Sequence, residues 1–575
     1  MTNHEIALRF TRIADILEIQ GENAFKVRAY RTAAETIEEL DEALSDIEAR
    51  GGLEEIPGFG PAIVGKTRDF LTKGTTKLWE EVKDAIPPGV VRMAAVPGIG
   101  PKTVTALWKA LKVESIEELE AAAQAGRVRE VPGFGPGKEK NLLEAIARWR
   151  RLSERAPLYV ALPYAERLAR ALRARPEVSA ADPAGSLRRG RDTVGDIDLV
   201  AATTDPAATA DAVAALPGIT EVFERGEHKV SAFSDLGLRV DVRLAAPEDY
   251  GALLLHFSSG RAHNIQLREY AEARGLKINE YGVWDVATGE EKYRGGEEAG
   301  VYEALGLAFI PPELREGRDE IEQAAANALP QLVTVEDFKG QLHEHSTWSD
   351  GTASIREMVE AALARGYAYL AITDHSPLVT VANGLSAERV RAQWEEIDAL
   401  RAEYGDRIAI LKGLEVDIRA DGSLDMDEEI LAQMDVVVAS AHMRYKEDEA
   451  KMTARIVRAL ENPHVDILGH PTGRLIGRRE PFAVDMDAVI DAAARTGTVL
   501  EINASPDRMD LKDEYARRAK ERGVKLTVNA DAHSTSGLDL LKWGLFMARR
   551  AGLTADDVIN TYSLDRLRET LKHSP

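Results

Sequence analysis

Apolar positions in this chain change rhythm three times. Over residues 1–50 they recur at helical spacing, as in IALRFTRIADIL (6–17), and RTAAETIEELDEAL (31–44) is rich in helix formers, so helices are predicted. One phrase then appears three times: EIPGFGPAIVGKTRDFL (55–71), AVPGIGPKTVTALWKAL (95–111) and EVPGFGPGKEKNLLEAI (130–146). Each copy joins an apolar residue, Pro-Gly-x-Gly-Pro and an amphipathic helix, and such an internal repeat organises the segment that holds it. From about residue 155 to Asp249, helices alternate with short apolar strands. Residues 251–310 mix helix and strand, and FIPPELREGRDEIEQAAANALP (309–330) reads as a connector. After it, strands separated by helices run to the end, the pattern of a barrel or a wound sheet.

The glycines of the repeat, Gly58 and Gly60, Gly98 and Gly100, Gly133 and Gly135, allow a tight turn that leaves backbone N–H groups bare at a helix N-terminus, where an anion is favoured. A single copy is explained equally well as a helical hairpin stopped by Gly and Pro. Charge shifts the balance towards phosphate. The chain as a whole carries −23, but residues 51–200 sum to +4 and the remainder to −27. A phosphate-bearing partner should therefore meet that central block. The 575 residues suffice for roughly three to five domains of ordinary size. No apolar run reaches the ~18–20 residues of a membrane span and the N-terminus lacks a basic, then apolar, leader, which predicts a cytoplasmic protein without a membrane partner. With no cysteine, metals have only His, Asp and Glu to bind them.

Two constellations carry chemistry. In AGSLRRGRDTVGDIDLVAAT, Asp196 and Asp198 stand at i and i+2 on a predicted strand and share a face. LRVDVRL adds Asp241 on a later strand. Three converging carboxylates can hold two Mg²⁺ or Mn²⁺ ions for phosphoryl transfer. Upstream, Gly185 and Ser186 followed by Arg188 and Arg189 offer a turn, a hydroxyl and guanidinium forks suited to a triphosphate. A lone D-x-D would more simply be the polar face of a half-exposed strand; the combination is what points to nucleotidyl transfer.

The second constellation begins at QLHEHSTWSDG (341–351). His343 and His345 share a strand face, and Asp350 follows. Later apolar runs end in His375, Glu415, His442, His470, and Asp531 with His533, while TVLEINAS (498–505) supplies no histidine. Any one of these is explained by a histidine satisfied in a core. Six of the chain's twelve histidines at strand ends in one segment are not. Nitrogen and oxygen donors without sulfur favour Mn²⁺, Zn²⁺ or Fe²⁺, and nine of them suit a cluster of two or three ions that cuts a phosphoester.

On these motifs the chain resembles two families. GSLRRG…GDID and the segment HFSSGRAHNIQLREYAEARGLKINEYGVW (256–284) are similar to family X DNA polymerases, with the repeats as helix-hairpin-helix motifs; the strand-end ligands resemble the polymerase and histidinol phosphatase (PHP) domain. The resemblance implies a multidomain chain: a helical DNA-end-binding, lyase-like domain over 1–80, helical fingers over 81–154, an α/β nucleotidyltransferase palm over 155–250, a thumb over 251–330 and a distorted (β/α)7 barrel over 335–575. It implies Asp196, Asp198 and Asp241 as the metal triad, Gly185, Ser186 and Arg189 at the incoming triphosphate, Phe257 beside the sugar, Asn264 at the nascent base pair and Arg268 near the template. Ser259-Gly260 departs from the family's Gly-Ser at the local turn. It further implies Lys66 as a Schiff-base lysine, with Lys26 and Tyr30 in the 5′-phosphate pocket; a surface lysine with a nonspecific DNA role is an equal reading, since Ala62 and Gly65 stand where relatives carry charge. The implied function is a monomeric gap-filling repair polymerase acting on gapped or primer-template DNA with deoxynucleoside triphosphates and trimming 3′ ends through the barrel. A phosphatase tethered to DNA and a non-polymerising repair scaffold are the alternatives.

Overall fold

The computed structural model describes residues 1–575 apart from 2, 39, 41, 42, 57, 84, 94, 95, 97, 98, 154 and 573–575. The chain divides into two compact units, Met1–Glu154 and Arg155–Pro575.

The first unit is helical. Its opening helices, Asn3–Gln20 and Ala24–Glu38, turn one apolar face inwards, so that Ile6, Phe10, Ile13, Leu17, Tyr30 and Ile37 share one core. Phe10 sits at its centre, 5.9 Å from the Tyr30 ring and 5.5 Å, edge on, from Phe70. The repeats fold alike. Phe59, Ile99 and Phe134 each donate a backbone hydrogen bond to the apolar residue three positions back, Ile56, Val96 and Val131, at 3.0, 2.9 and 2.9 Å. Helices Pro61–Lys73, Pro101–Leu111 and Pro136–Ser153 then start on the second proline, whose missing N–H costs nothing there. Gly58 at φ 81° and Gly133 at φ 86° take the left-handed turn that a side chain resists. Gly98 lies outside the described residues.

In the second unit, the palm is a five-stranded sheet in the spatial order Val178–Pro183, Asp196–Thr203, Arg239–Ala245, Lys229–Ser234, Ile219–Arg225. Helix Leu158–Arg173 lays Leu158, Leu168 and Leu172 into the core that also holds Ile197, Leu199, Val240 and Val242. The central pair, Asp196–Thr203 with Arg239–Ala245, runs parallel, and its register sets Asp198 directly opposite Asp241.

The thumb contains helices Tyr250–Ser258, Arg261–Glu272 and Glu298–Ala304 and a three-stranded antiparallel sheet. The segment read from sequence as a connector, 309–330, is instead part of it: Ile310, Ile321 and Ala324 are buried with Leu255, Leu267 and Val301. Its charges misled because they are internally paired. Arg315, fully buried, bonds Glu298 at 2.6 Å, and Glu320 bonds His263 at 2.7 Å.

The last part is a seven-stranded parallel sheet whose spatial order is the chain order, Gly340–Gln341 to Leu526–Asn529. A parallel bridge from Glu344 to Ala532, with His345 N–H donating to the Ala532 carbonyl at 2.9 Å, brings the first strand back to the last and nearly closes the barrel. Period-two alternation sorts the strand residues into two cores. Leu411, Val436, Val438, Ile467 and Val499 face one, with Ile559 and Tyr562; Ile410, Val437, Leu468 and Leu500 face the other, towards the helices. Glu415 and Glu501 have the parity of Leu411 and Val499, so both project from the inner face.

Candidate active sites

The palm carboxylates meet at the start of the central strand pair. Asp198 lies opposite Asp241, with Asp196 two residues earlier on the same face. Burial, then repulsion from Asp196 and Asp241, pushes the Asp198 carboxyl up to about 7. Asp241 is fixed from outside the triad: it accepts Ser231 Oγ at 2.5 Å and Arg239 Nε at 3.1 Å, with Lys229 Nζ at 3.6 Å. Burial works to raise its pKa, but these donors outweigh it and hold it below the ordinary carboxylate value. A buried carboxyl pushed up by desolvation and by two anionic neighbours is a site that a cation would relieve, and the residues fit a divalent ion on that ground.

Gly185 shows how tightly the turn before this strand is set. It has φ 58°, and a Cβ there would overlap the Asp198 carboxylate. Ser186 follows on the short helix Gly185–Arg188. Arg188 forms a fork with Glu298 at 2.8 and 2.5 Å, and Arg189 bonds Glu316 at 3.0 Å and the Ser258 carbonyl at 3.0 Å. In the thumb, Phe257 packs beside Ala184, Val200 and Leu254, with the Arg243 guanidinium 4.4 Å over its ring. Asn264 donates to the His256 carbonyl at 2.8 Å and shares a small cleft with Arg268, Ile278 and Asn279. The departure at Ser259-Gly260 has a packing reason: Gly260 N–H bonds the Arg315 carbonyl at 2.8 Å, and a Cβ at Gly260 would stand 2.8 Å from that same oxygen.

In the barrel, all nine candidates converge. Asp350, His375, Glu415, His442, His470, Asp531 and His533 line a cavity of ≈ 230 Å³. His343 and His345 stand in its floor, fully buried, with their Nε2 atoms 3.4 and 3.6 Å from Glu415 Oε2. Donor atoms of three groups lie within 4.8 Å of one another: His345, Asp350, His375 and His533; His343, His345 and Glu415; His375, Glu415 and His442. Buried imidazole nitrogens are ordinarily hydrogen-bonded, yet among the described residues His343 Nε2, both nitrogens of His345 and His375 Nδ1 lack a hydrogen-bond partner. Orphaned nitrogens aimed at shared carboxylates are what metal ligands look like, so this donor set fits divalent ions as well. Burial opposes protonation of His375, but Glu415 and Asp350 outweigh it and raise its pKa to about 10; His533, beside Asp350 and Asp531, is raised to about 9 in the same way. The carboxylates thus draw positive charge into the cavity. Two of the nine candidates, His470 at φ 25° and Asp531 at φ 52°, sit in left-handed backbone unusual for side-chain-bearing residues, a local strain of ~1–3 kcal/mol each that the surrounding barrel must hold in place.

Around the ligands lies a layer that the strand-end pattern did not reveal. Glu501 accepts from His343 Nδ1 at 2.8 Å and from His470 N–H at 2.7 Å, fixing which nitrogen of His343 faces the centre. Asp417 stands 3.3 Å from His442 Nδ1, and Asn503 donates to Asp531 at 2.9 Å. Arg508 lines the cavity 4.0 Å from Asp531, a cation able to meet a phosphate oxygen. A signal for Glu501 existed: a carboxylate between the apolar Val499, Leu500 and Ile502 of the strand VLEIN is costly unless it serves a partner.

In the first unit, Lys26, Tyr30 and Lys66 are neighbours. Lys66 Nζ lies 5.8 Å over the Tyr30 ring and donates to the Ala62 carbonyl at 3.1 Å. Partial burial, then the Lys26 charge, lowers its pKa, while Lys26 itself lies 3.6 Å from Glu22.

Family models match along the chain: a helix-hairpin-helix domain over 1–76, a SAM-like helix-hairpin-helix tandem over 91–148, the DNA polymerase beta thumb over 253–316 and a PHP domain over 341–505. A probable phosphatase of Thermoanaerobacter sp. is 33% identical over 243 residues, 40% of this chain and 93% of that protein. The DNA polymerase/3′-5′ exonuclease PolX of Bacillus subtilis is 40% identical over 576 residues, covering 100% of both chains. Likeness of that extent, over helix-hairpin-helix, thumb and barrel alike, shows that the chain belongs to the bacterial family X DNA polymerases that carry a C-terminal PHP domain.

Proposed function

We propose that the chain is a repair DNA polymerase that fills short gaps, of base-excision or end-joining type, and processes 3′ ends with its barrel. It is a DNA-binding, divalent-metal-dependent polymerase with a 3′-5′ exonuclease domain. The observation that carries the polymerase assignment of residues is the parallel register that sets Asp198 against Asp241 with the Gly185 backbone pressed on Asp198. A primer 3′-OH would attack the α-phosphate of a deoxynucleoside triphosphate in line, displacing pyrophosphate. Gly185 and Ser186 would receive the triphosphate, and Asp196, Asp198 and Asp241 would hold two Mg²⁺ or Mn²⁺ ions that supply neutralising charge. Ser231 and Arg239 keep Asp241 turned towards that site. In the barrel, the nine side chains would hold two or three Mn²⁺, Zn²⁺ or Fe²⁺ ions, with Glu501 orienting His343 and Arg508 binding the scissile phosphate. Phe257, Asn264 and Arg268 would line the sugar, the base pair and the template.

The substrate would be gapped or primer-template DNA, bound by the chain acting as a monomer. Among the described residues no helix is long and apolar enough to cross a membrane. The helix-hairpin-helix turns, including the glycine pairs at 58 and 60, 98 and 100, and 133 and 135, would grip DNA backbone without reading sequence. Gapped DNA with labelled primer tests the pairing of site and activity: Asp196→Ala,Asp198→Ala should abolish incorporation, and retained incorporation would refute the triad.

A 5′-deoxyribose-phosphate lyase role for Lys66 rests on the proximity of Lys26 and the lowered Lys66 pKa, with Lys26 and Tyr30 on the 5′-phosphate side. Borohydride trapping on an abasic substrate should lose most product in Lys66→Ala; undiminished trapping would leave Lys66 a DNA-facing surface lysine. The phosphatase relatives, which align over 40% and 41% of this chain, favour comparing a small phosphomonoester with a primer strand as substrates. Preferential hydrolysis of the phosphomonoester would identify a tethered phosphatase.

A further inference from the structure

Arg189 does not reach freely towards the triphosphate turn; it is held by the thumb. Its guanidinium donates to Glu316 Oε1 at 3.0 Å, and only 12% of its side chain is exposed. Glu316 is shared. Arg191 forms a fork to it at 3.2 and 2.8 Å, and Arg550, from the barrel helix Leu541–Arg550, adds a bond at 2.9 Å. Arg550 is 4% exposed, and it also donates to the Arg189 carbonyl at 2.8 Å and to Asp513 at 3.0 Å. One turn earlier on the same helix, Phe546 packs so closely on Gly190, at φ 65°, that no Cβ fits there, and Arg474 bonds Asp192 at 2.6 Å. The polymerase turn 185–192 is therefore braced by the barrel at 189, 190 and 192.

Three guanidiniums on one carboxylate are more than Glu316 needs. A buried carboxylate stripped of its sole partner is costly, so a single Arg189–Glu316 pair would resist opening. With Arg191 and Arg550 in place, Arg189 can leave without stranding Glu316, and the surplus positive charge is what an entering triphosphate would neutralise. We propose that Arg550 of the barrel is a positioning residue for nucleotide binding in the palm: by sharing Glu316 it makes Arg189 available to the triphosphate. This rests on the reading of Arg189 as a triphosphate ligand. The coupling runs from barrel to polymerase and makes no demand on the metal-ligand cavity, since Arg550 touches none of its nine side chains among the contacts above.

The test is steady-state incorporation of one deoxynucleoside triphosphate on gapped DNA by full-length protein, with exonuclease activity on a primer strand and thermal melting alongside. Arg550→Met should raise the nucleotide KM about tenfold, the scale of one charge-assisted hydrogen bond, with kcat and exonuclease activity little changed. Arg550→Lys, which keeps the charge, should recover much of it. Glu316→Gln, which weakens the competitor for Arg189, should lower KM and, combined with Arg550→Met, relieve the rise. An unchanged KM in Arg550→Met, or a rise that Glu316→Gln does not relieve, overturns the proposal; if Arg550→Met fails to fold, a raised KM in Glu316→Gln alone does so. Arg189→Ala separates the two levels. Should it leave KM unchanged, the triphosphate role of Arg189 is wrong; should it raise KM while the other variants behave as wild type, only the coupling is.

Discussion

The palm and the barrel both gather acidic side chains for divalent ions, but they do it in opposite ways. The palm triad comes from two adjacent strands, and one register, Asp198 against Asp241, assembles it. The barrel collects nine donors around a cavity, and a second layer of Glu501, Asp417 and Asn503 holds them. In the palm, burial and like charge raise Asp198 to about 7, so that site is poised for what substrate and cations bring. In the barrel, imidazoles and carboxylates offset one another before any substrate arrives. A site built from few residues should fail when one is removed; a site built in layers should weaken by degrees as the outer layer is stripped.

The largest expected effect follows from the sparse site. Asp198→Ala should reduce incorporation by about 10³-fold or more, the scale of losing a group that stabilises developing charge, with exonuclease activity intact. Parallel loss of both activities, measured on one gapped substrate, would break the comparison. Glu501→Gln should be milder and confined to the barrel: about 10–100-fold lower exonuclease activity or metal affinity, read by metal titration, as for other partners of metal-bound histidines. An unaffected metal titration would remove Glu501 from the outer layer.

Gly185→Ala should come next. The added methyl meets the Asp198 carboxylate in left-handed backbone, so incorporation should fall several-fold while melting shifts by only a few degrees. The smallest effect concerns pH in the absence of metal. Because the folded Asp198 pKa lies above the ordinary 3.8, its favourable contribution is present below pH 3.8 and is lost as pH rises through about 7. In chelator at pH 8, Asp198→Asn should therefore melt a few degrees above wild type, and the gap should close near pH 4. A variant that melts lower at pH 8 would contradict the strained-carboxylate account.

Much of how the candidate residues of both sites come together was legible in the sequence because strand spacing and strand ends place them. His343 and His345 stand at i and i+2, Asp196 and Asp198 likewise, and Asp241 sits on the polar side of an apolar alternation, so spacing alone places each set on one face. The repeated Pro-Gly-x-Gly-Pro marks turns whose geometry needs glycine. What was not legible depends on partners distant in sequence. Glu501 lies on a strand without histidine, and its meaning comes from His343, 158 positions away. Residues 309–330 look like a charged connector because Arg315 and Glu320 display no sign of Glu298 and His263, the partners that let them be buried. The grip of Glu316 on Arg189, and the barrel's part in it, follow from the same kind of long-range pairing.

The central claim is that one chain carries two independent metal-dependent sites acting on the same DNA end. A 5′-labelled primer on gapped duplex, incubated with Mn²⁺ with and without deoxynucleoside triphosphates, reads both activities at once. Wild type should extend with nucleotides and shorten without them. Asp196→Ala,Asp198→Ala should shorten only, and His343→Ala,His345→Ala should extend only. If either double variant loses both products while still folded, or keeps the product assigned to its missing site, the assignment of two separate sites is wrong.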